Sequence, residues 1–208
     1  IVTFNNLSSD DMLALEQRIN GWLAKNMTAY QIEIASPVLM FSHIGSRNIS
    51  RMIVGSILAL ILISILLMIA FKSIKLGLIS LIPNLVPAGI AFGIWGLIDG
   101  QIGLGLSVVT GMTLGIVVDD TVHFISKYRR AKIEKGMNNE DAVRYAFSTV
   151  GVALWITSAV LVCGFMVLSL SHFVMNADMG LMTAITIATA LFLDLLFLPP
   201  LLMGLDKK

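Results

Sequence analysis

Residues 52–71 read MIVGSILALILISILLMIAF, a run of 20 amino acids without one charged side chain. About 20 apolar residues of α-helix are needed to cross the hydrocarbon core of a bilayer, which is roughly 30 Å thick. The whole chain of 208 residues is 57% hydrophobic and only 13% charged, whereas about a quarter of the residues in a soluble domain are charged. The sequence therefore predicts a multi-pass membrane protein.

Four further apolar runs are long enough to cross a membrane, at residues 76–98, 102–125, 146–170 and 179–205. Together with residues 52–71 they predict an α-helical transmembrane domain of five helices over residues 52–205. An odd number of spans places the two ends of this domain on opposite sides of the membrane. The single cysteine, Cys163, lies within the fourth run and excludes an intramolecular disulfide.

The basic residues predict the orientation, because short cytoplasmic loops are enriched in Lys and Arg. If the spans alternate, ten basic residues fall on one side and none in the short loops opposite: Lys72, Lys75, Lys127, Arg129, Arg130, Lys132, Lys135, Arg144, Lys207 and Lys208. This distribution predicts an N-terminal segment that faces outward and a C-terminus that faces the cytoplasm. The run KYRRAKIEKG is then a solvated loop that orients the protein, and no nucleic-acid partner is expected.

The residues before the first span have a different character. Ser8 and Asp11 have capping-box spacing, and the helix predicted after them, DMLALEQRINGWLAKN, carries one apolar stripe. Apolar and polar residues alternate at 30–34, which predicts a strand, and the whole segment is interpreted as strand, helix, strand. We therefore expect residues 1–36 to be a small α+β piece at the C-terminal end of a larger extramembrane domain. Residues 37–51 are predicted to form a connecting helix.

Three ionisable residues lie near the end of the third span, in the stretch GIVVDDTVHF at residues 115–124. On a helix, Asp120 lies about 100° and His123 about 40° from Asp119, so the three share one arc of the surface. An aspartate at the bilayer centre costs about 2.5–3.5 kcal/mol, and such residues commonly mark proton or ion pathways. Loss of water also favours the protonated acid, so these three residues are candidate members of a proton relay.

Other interpretations of the cluster remain open at this stage. The two aspartates could lie close enough to the cytoplasmic end to reach water and simply begin the basic run. His123 could be a relay member or an interfacial hydrogen-bonding residue. A metal site is disfavoured because no second cluster of His or Cys accompanies these residues, so neither a metal nor a cofactor is expected.

Asp194 is the fourth candidate relay residue, because it lies in the fifth span at a comparable depth. It comes 15 residues after Met179, and Asp119 comes 17 residues after Ile102. At 1.5 Å per residue, both acids lie about 22–26 Å from the outer surface. We therefore hypothesise one polar network across facing helices; the alternative is that Asp194 only caps a helix near Pro199.

Small residues and prolines predict how the helices pack around this layer. Gly111 and Gly115 have the spacing that lets helix backbones approach closely, and the second is one turn before Asp119. Pro83 and Pro87 interrupt the hydrogen bonding of the second span and predict a kink. Trp95 is predicted to lie in an outer interfacial belt and Trp155 to be a packing residue.

Several motifs of this chain resemble a known family. GMTLGIVVDDTVHFISKYRRA, DAVRYAFSTVGVALWITSAVLVCGFMVLSLSHF and ALFLDLLFLPPLL, in this order, resemble the last helices of resistance-nodulation-division (RND) exporters, in the MMPL-like branch of predicted lipid or hydrophobe exporters. The resemblance implies a carrier of twelve helices in two repeats, each with a large periplasmic porter domain. This chain is then the end of the second porter domain, at residues 1–36, and the final five helices. The resemblance also implies that the span bearing Asp119 and Asp120 is the tenth helix, whose acids form the proton relay together with acids of the fourth. The lysine that the drug-efflux branch has in its tenth helix is missing here.

The resemblance implies proton-driven export of lipids or other amphiphiles from a bacterial inner membrane. The partners expected are the substrate lipid, protons and the N-terminal repeat of the same protein, and assembly into an oligomer is compatible with this architecture. A sterol-sensing-like module that binds lipid and regulates a partner without pumping is the alternative function. An enzyme is not expected, because no nucleophile with a base and an orienting group is recognisable.

Overall fold

The structure is a computed structural model that describes residues 7–28, 34–98, 100 and 103–204, with only the backbone of Leu104. Within these residues the chain is helical and has no strand. The α-helices, in order, are α1 (Ser9–Asn26), α2 (Pro37–Phe71), α3 (Ile74–Ile98), α4 (Leu104–Glu134), α5 (Asn139–Ala146), α6 (Val152–Ser169), α7 (Val174–Leu196) and α8 (Leu198–Met203). A π-helical segment, Phe147–Gly151, joins α5 to α6.

Five stretches of helix are long and apolar enough to cross a membrane: Pro37–Phe71, Ile74–Ile98, Gly105–Glu134, Asn139–Ser169 and Val174–Met203. This confirms the prediction of five transmembrane helices. Several are longer than their apolar runs, because a helix continues wherever backbone hydrogen bonding and side-chain propensity permit. Residues 37–51 and the first span are one continuous helix, α2.

The chain divides into two compact units, Ile1–Ile53 and Val54–Lys208. In the first unit the predicted helix is present as α1, and Ser8 caps it by accepting a hydrogen bond from the Asp11 backbone N–H at 3.2 Å. His43 Nε2 of α2 lies at a hydrogen-bonding distance of 2.7 Å from Glu16 Oε2 of α1. The β component of the predicted α+β piece is not supported: residues 1–6 and 29–33 lie outside the described residues, and Ile34 is not in a strand.

In the second unit, α6 and α7 form an antiparallel pair connected by residues 170–173. They approach closely at Gly180 of α7. A Cβ atom there would lie 2.7 Å from both the Phe165 carbonyl oxygen and the Ser169 backbone nitrogen of α6. Because both are backbone atoms that cannot rotate away, Gly180 sets the register of α7 against α6.

The interior of the second unit has two apolar clusters. One contains Trp95 of α3, Leu106 of α4 and Met182 of α7. The other includes Phe124, towards the C-terminal end of α4, and Leu198 of α8. On α4 and α7, the residues between the clusters include the polar side chains of the candidate site.

The structure corrects two of the sequence interpretations. The run KYRRAKIEKG is not a loop: α4 continues through it to Glu134 and ends where Gly136 adopts a φ of 61°. There the Met137 N–H donates to the Ala131 carbonyl at 3.2 Å, and a left-handed glycine just after the last turn is a common helix end. The roles of the two tryptophans are also reversed, since Trp95 is buried in a cluster and Trp155 is exposed.

We predict that Gly180→Ala destabilises the protein by about 1–3 kcal/mol, because the added methyl group overlaps the backbone of α6. The measurement is unfolding of the purified protein in detergent, followed by circular dichroism. Gly164→Ala is the matched control, since Gly164 lies on the neighbouring helix with nothing within 4 Å of its Cβ position. Equal stability of the two variants would show that the close contact at Gly180 is wrong.

Candidate functional site

Asp119, Asp120 and Thr121 are consecutive residues of α4, and each meets a different environment. Successive side chains of a helix are rotated by about 100°, so three in a row point in three directions. The exposure follows this rotation: Asp119 is exposed, Asp120 is half-buried and Thr121 is fully buried. Helix α4 therefore has an open polar face and a closed one at the same level.

The open face carries Asp119 and His123, one turn apart. His123 Nε2 lies 3.4 Å from Asp119 Oδ1, and the two side chains are 58% and 71% exposed. An ion pair this exposed contributes little stability in water, typically about 0–1 kcal/mol. The structure thus brings these two predicted residues together on a surface that no described part of the chain covers.

Asp120 faces α6. The Ser158 hydroxyl, which is buried on that helix, donates a hydrogen bond of 2.9 Å to Asp120 Oδ2. The carboxylate therefore has a fixed partner on a neighbouring helix, which distinguishes it from Asp119. A hydrogen bond to a charged acceptor contributes more than one between neutral groups, about 1.5–3 kcal/mol.

The closed face of α4 meets α3 and α7 in a buried polar group that we call the core triad, formed by Asn84, Thr121 and Asp194. Thr121 Oγ1 lies 2.9 Å from Asp194 Oδ1 and 3.0 Å from Asn84 Oδ1. The three residues are exposed by only 2%, 0% and 1% in chain order. Asn84 Nδ2 and Asp194 Oδ2 have no hydrogen-bond partner among the described residues. Polar side chains from three different helices thus meet where water does not reach.

The four predicted relay residues therefore occupy three environments. Asp119 and His123 share the open face, Asp120 contacts Ser158, and Asp194 belongs to the core triad. Asp194 contacts α4 through Thr121, the residue beside Asp120, and not through either acid. The interpretation of Asp194 as only a helix cap does not fit a side chain buried against two other helices.

Sequence reasoning missed Asn84, Thr121 and Ser158. Asn84 did carry a signal, because it is a lone amide in the apolar run of α3, between two prolines. Thr121 had the weaker signal of following the aspartate pair. Ser158 had none, since serine is common in transmembrane helices and bonds readily to its own backbone.

The predicted packing role of Gly111 and Gly115 is not met by another helix of the described chain, and it stays a prediction. No atom lies within 4 Å of the Cβ position of either glycine, so no helix of the described chain packs closely on them. Gly115 lies one turn and Gly111 two turns before Asp119, on the same exposed stripe of α4. They extend the open face as a smooth, uncovered surface.

The model of the MMPL family matches residues 10–206. The chain belongs to the MMPL family. The resemblance of its motifs to RND exporters of the MMPL-like branch is thereby confirmed, and the protein is a multi-pass membrane protein.

A curated relative of this MMPL chain is the protein named "Putative membrane protein MJ1562" from Methanocaldococcus jannaschii. The two sequences are 29% identical over 144 residues, which is 69% of this chain and 37% of the relative. The MMPL chain thus covers well under half the length of that relative.

Among its described residues, the MMPL chain has no group of three or more His, Cys, Asp or Glu side chains arranged to hold a metal ion. The polar groups of the candidate site are carboxylic acids, hydroxyls, the Asn84 amide and the His123 imidazole. This set can bind, release and pass protons along hydrogen bonds.

We predict that Ser158→Ala lowers the stability of the protein by about 1–2 kcal/mol, because it removes the hydroxyl that donates to Asp120. Unfolding in detergent, measured as for Gly180, tests this. Thr157→Val is the matched control, because the Thr157 hydroxyl donates only to carbonyls of its own helix. If the two variants lose the same stability, the hydrogen bond between α4 and α6 is not significant.

Proposed function

We propose that this chain is part of a proton-driven exporter of lipids or other hydrophobic or amphiphilic molecules, a carrier and not an enzyme. The single observation that supports the proposal most is the position of its acids. Asp119, Asp120 and Asp194 lie on helices that are long and apolar enough to cross a membrane, and Asp194 is buried against Thr121 of α4. Ionisable residues in such positions are costly and generally serve ion or proton movement.

In the proposed cycle, Asp119 and Asp120 exchange protons with the two sides of the membrane as the helices rearrange. One proton that moves down a potential of 100 mV supplies about 2.3 kcal/mol. Membership of the MMPL family supports hydrophobic molecules as the cargo. The distribution of basic residues supports a bacterial inner membrane orientation with the N-terminal segment in the periplasm and the C-terminus in the cytoplasm.

The open face of α4 supports a further part of the proposal. A charged aspartate that faced lipid here would cost about 2.5–3.5 kcal/mol on insertion scales, yet Asp119 has no cover from the described chain. We propose that the N-terminal repeat of the same protein covers it with its own polar residues. The two uncovered glycines beside Asp119 would let a helix of that repeat approach closely.

We predict that Asp119→Asn and Asp120→Asn each abolish proton-coupled export while expression and folding stay normal. Asparagine preserves the shape and some hydrogen bonds of the acid but cannot carry an exchangeable proton at neutral pH. The measurement uses the complete protein in liposomes, with an imposed pH gradient, a fluorescent lipid as cargo and a pH-sensitive dye inside.

Glu134→Gln is the control, because it neutralises an exposed carboxylate at the end of the same helix, where Glu134 pairs with Arg130 at 2.7 Å. It should export normally. Lipid binding without any pH-dependent export by the wild type would favour the sterol-sensing-like function. Unimpaired export by both aspartate variants would eliminate these acids as proton carriers.

We also predict that Gly115→Leu blocks export by preventing the N-terminal repeat from packing on the open face of α4. The side chain meets open space in this chain, so the C-terminal half should fold as before. Gly164→Leu places the same side chain at an uncovered glycine of α6 and should remain active. Protease resistance of the complete protein separates loss of repeat packing from loss of folding, and normal export by Gly115→Leu would exclude the proposed contact.

A further inference from the structure

The hydrogen bonds of the core triad depend on how many hydrogens its three side chains can donate. Thr121 Oγ1 lies within hydrogen-bonding distance of three oxygens: Asn84 Oδ1, Asp194 Oδ1 and, at 3.3 Å, the carbonyl of Val117 on its own helix. A hydroxyl has one hydrogen and can donate it to one acceptor at a time. In this arrangement at least one more hydrogen is needed to join the three side chains.

A proton on Asp194 supplies that hydrogen. The acid then donates to Thr121 Oγ1, and the Thr121 hydroxyl donates to Asn84 Oδ1. The same proton also removes the negative charge of Asp194, whose side chain is buried. No cationic side chain among the described residues pairs with this carboxylate. An ionised carboxylate so placed would cost several kcal/mol.

The ionised acid requires the opposite arrangement. The Thr121 hydroxyl must then donate to Asp194, and the Asn84 amide must turn so that its nitrogen donates to Thr121. Amide oxygen and nitrogen occupy nearly equivalent positions, so this turn needs no movement of the backbone. The chain of hydrogen bonds therefore runs from α7 to α3 when the acid is protonated and from α3 to α7 when it is ionised.

We propose that Asp194 is a proton-binding site inside the bundle and that Thr121 transmits its protonation to Asn84 by reversing the direction of this hydrogen-bond chain. Asn84 follows Pro83 and precedes Pro87, neither of which can donate a hydrogen bond to the preceding turn. The element that receives the signal is thus already weakened at that point and bends more readily than an uninterrupted helix. The inference rests on the proposed proton-driven function and adds Thr121 and Asn84 as positioning residues.

The charged surroundings of Asp194 are simple. On α4 the adjacent ionisable residue is Asp120, and Asp119 and His123 lie on the opposite face. Helix α3 has only Lys75 near its start, α6 has only Cys163, and α8 has no ionisable group. A proton and a monovalent cation such as Na⁺ are the two positive species that could balance the charge. The spacings of 2.9 and 3.0 Å between oxygens are those of direct hydrogen bonds, which favours the proton.

The test is infrared difference spectroscopy of the complete protein in lipid nanodiscs across a pH series, with potassium as the only alkali cation. We expect a carbonyl band of a protonated carboxylic acid that is absent from Asp194→Asn and retained in Asp119→Asn and Asp120→Asn. Thr121→Val should change the frequency of this band. It should also let the band persist to a pH higher by about one unit, a tenfold change in proton affinity, because the ionised acid loses its donor. Thr121→Ser keeps the hydroxyl and should match the wild type.

Asn84→Leu should shift the band while leaving it present, since it removes the far end of the chain and not the proton. A wild-type spectrum identical to that of Asp194→Asn at every pH at which the protein is folded would overturn the proposal. Loss of the band when Na⁺ replaces potassium at fixed pH would also overturn it, in favour of a cation site. If the band behaves as expected but liposomes show no proton-coupled export, the proposed function fails and the proton site stands. If export is normal and the band is missing, the proton site at Asp194 fails and the proposed function stands.

Discussion

The burial of one carboxylic acid among three helices is the constraint on which this site depends. Asp194 is 1% exposed, and its single hydrogen-bond partner in the described chain is Thr121. An acid in that position tolerates little misalignment, because losing its partner leaves an uncompensated buried polar group. The register of α7 must therefore be fixed elsewhere. The backbone contact at Gly180 does this, since it locks α7 against α6 about four turns before Asp194.

The two apolar clusters explain why the core triad excludes water. Met182 of α7 and Leu198 of α8 belong to different clusters, and Asp194 lies between them in the sequence. On α4, Leu106 and Phe124 have the same relation to Thr121. Closely packed apolar side chains leave little room for solvent, so a proton that reaches Asp194 must arrive along polar side chains or through a rearrangement of the helices.

The sequence was sufficient for the spans and insufficient for the contacts, and the reason is physical. The length of an apolar run follows from the thickness of the bilayer, so the run at 52–71 identifies a span without any knowledge of its neighbours. A run of charged residues does not indicate where a helix ends, because Lys, Arg, Glu and Ala all favour helix. For that reason the prediction of a loop for the basic run after residue 125 is wrong. Helix α4 continues through this run and ends just before Gly136.

The site was predictable at the level of the acids and not of their partners. An aspartate within an apolar run is conspicuous in any sequence, so Asp119, Asp120 and Asp194 could be found. Which residue faces them depends on the rotation and register of separate helices, and these follow from packing across the whole bundle. Asp194 therefore contacts α4 at Thr121 and not at the aspartate pair, and this contact depends on which helices face one another.

Helix α4 is the element that relates the open face to the core triad. Its backbone is continuous from Leu104 to Glu134, so Asp119 and Thr121 cannot move independently by more than their side-chain rotations. A change at the open face that rotates or shifts α4 must also alter the distances from Thr121 to Asn84 and to Asp194. Both distances are hydrogen-bond lengths, so a small shift of the helix weakens or breaks the bonds. The reverse also applies, because coupling between two sites is reciprocal in free energy. A proton on the inner acid and a partner on the outer acid thus bias the same helix, which is the minimum physical requirement for coupling proton movement to a conformational cycle.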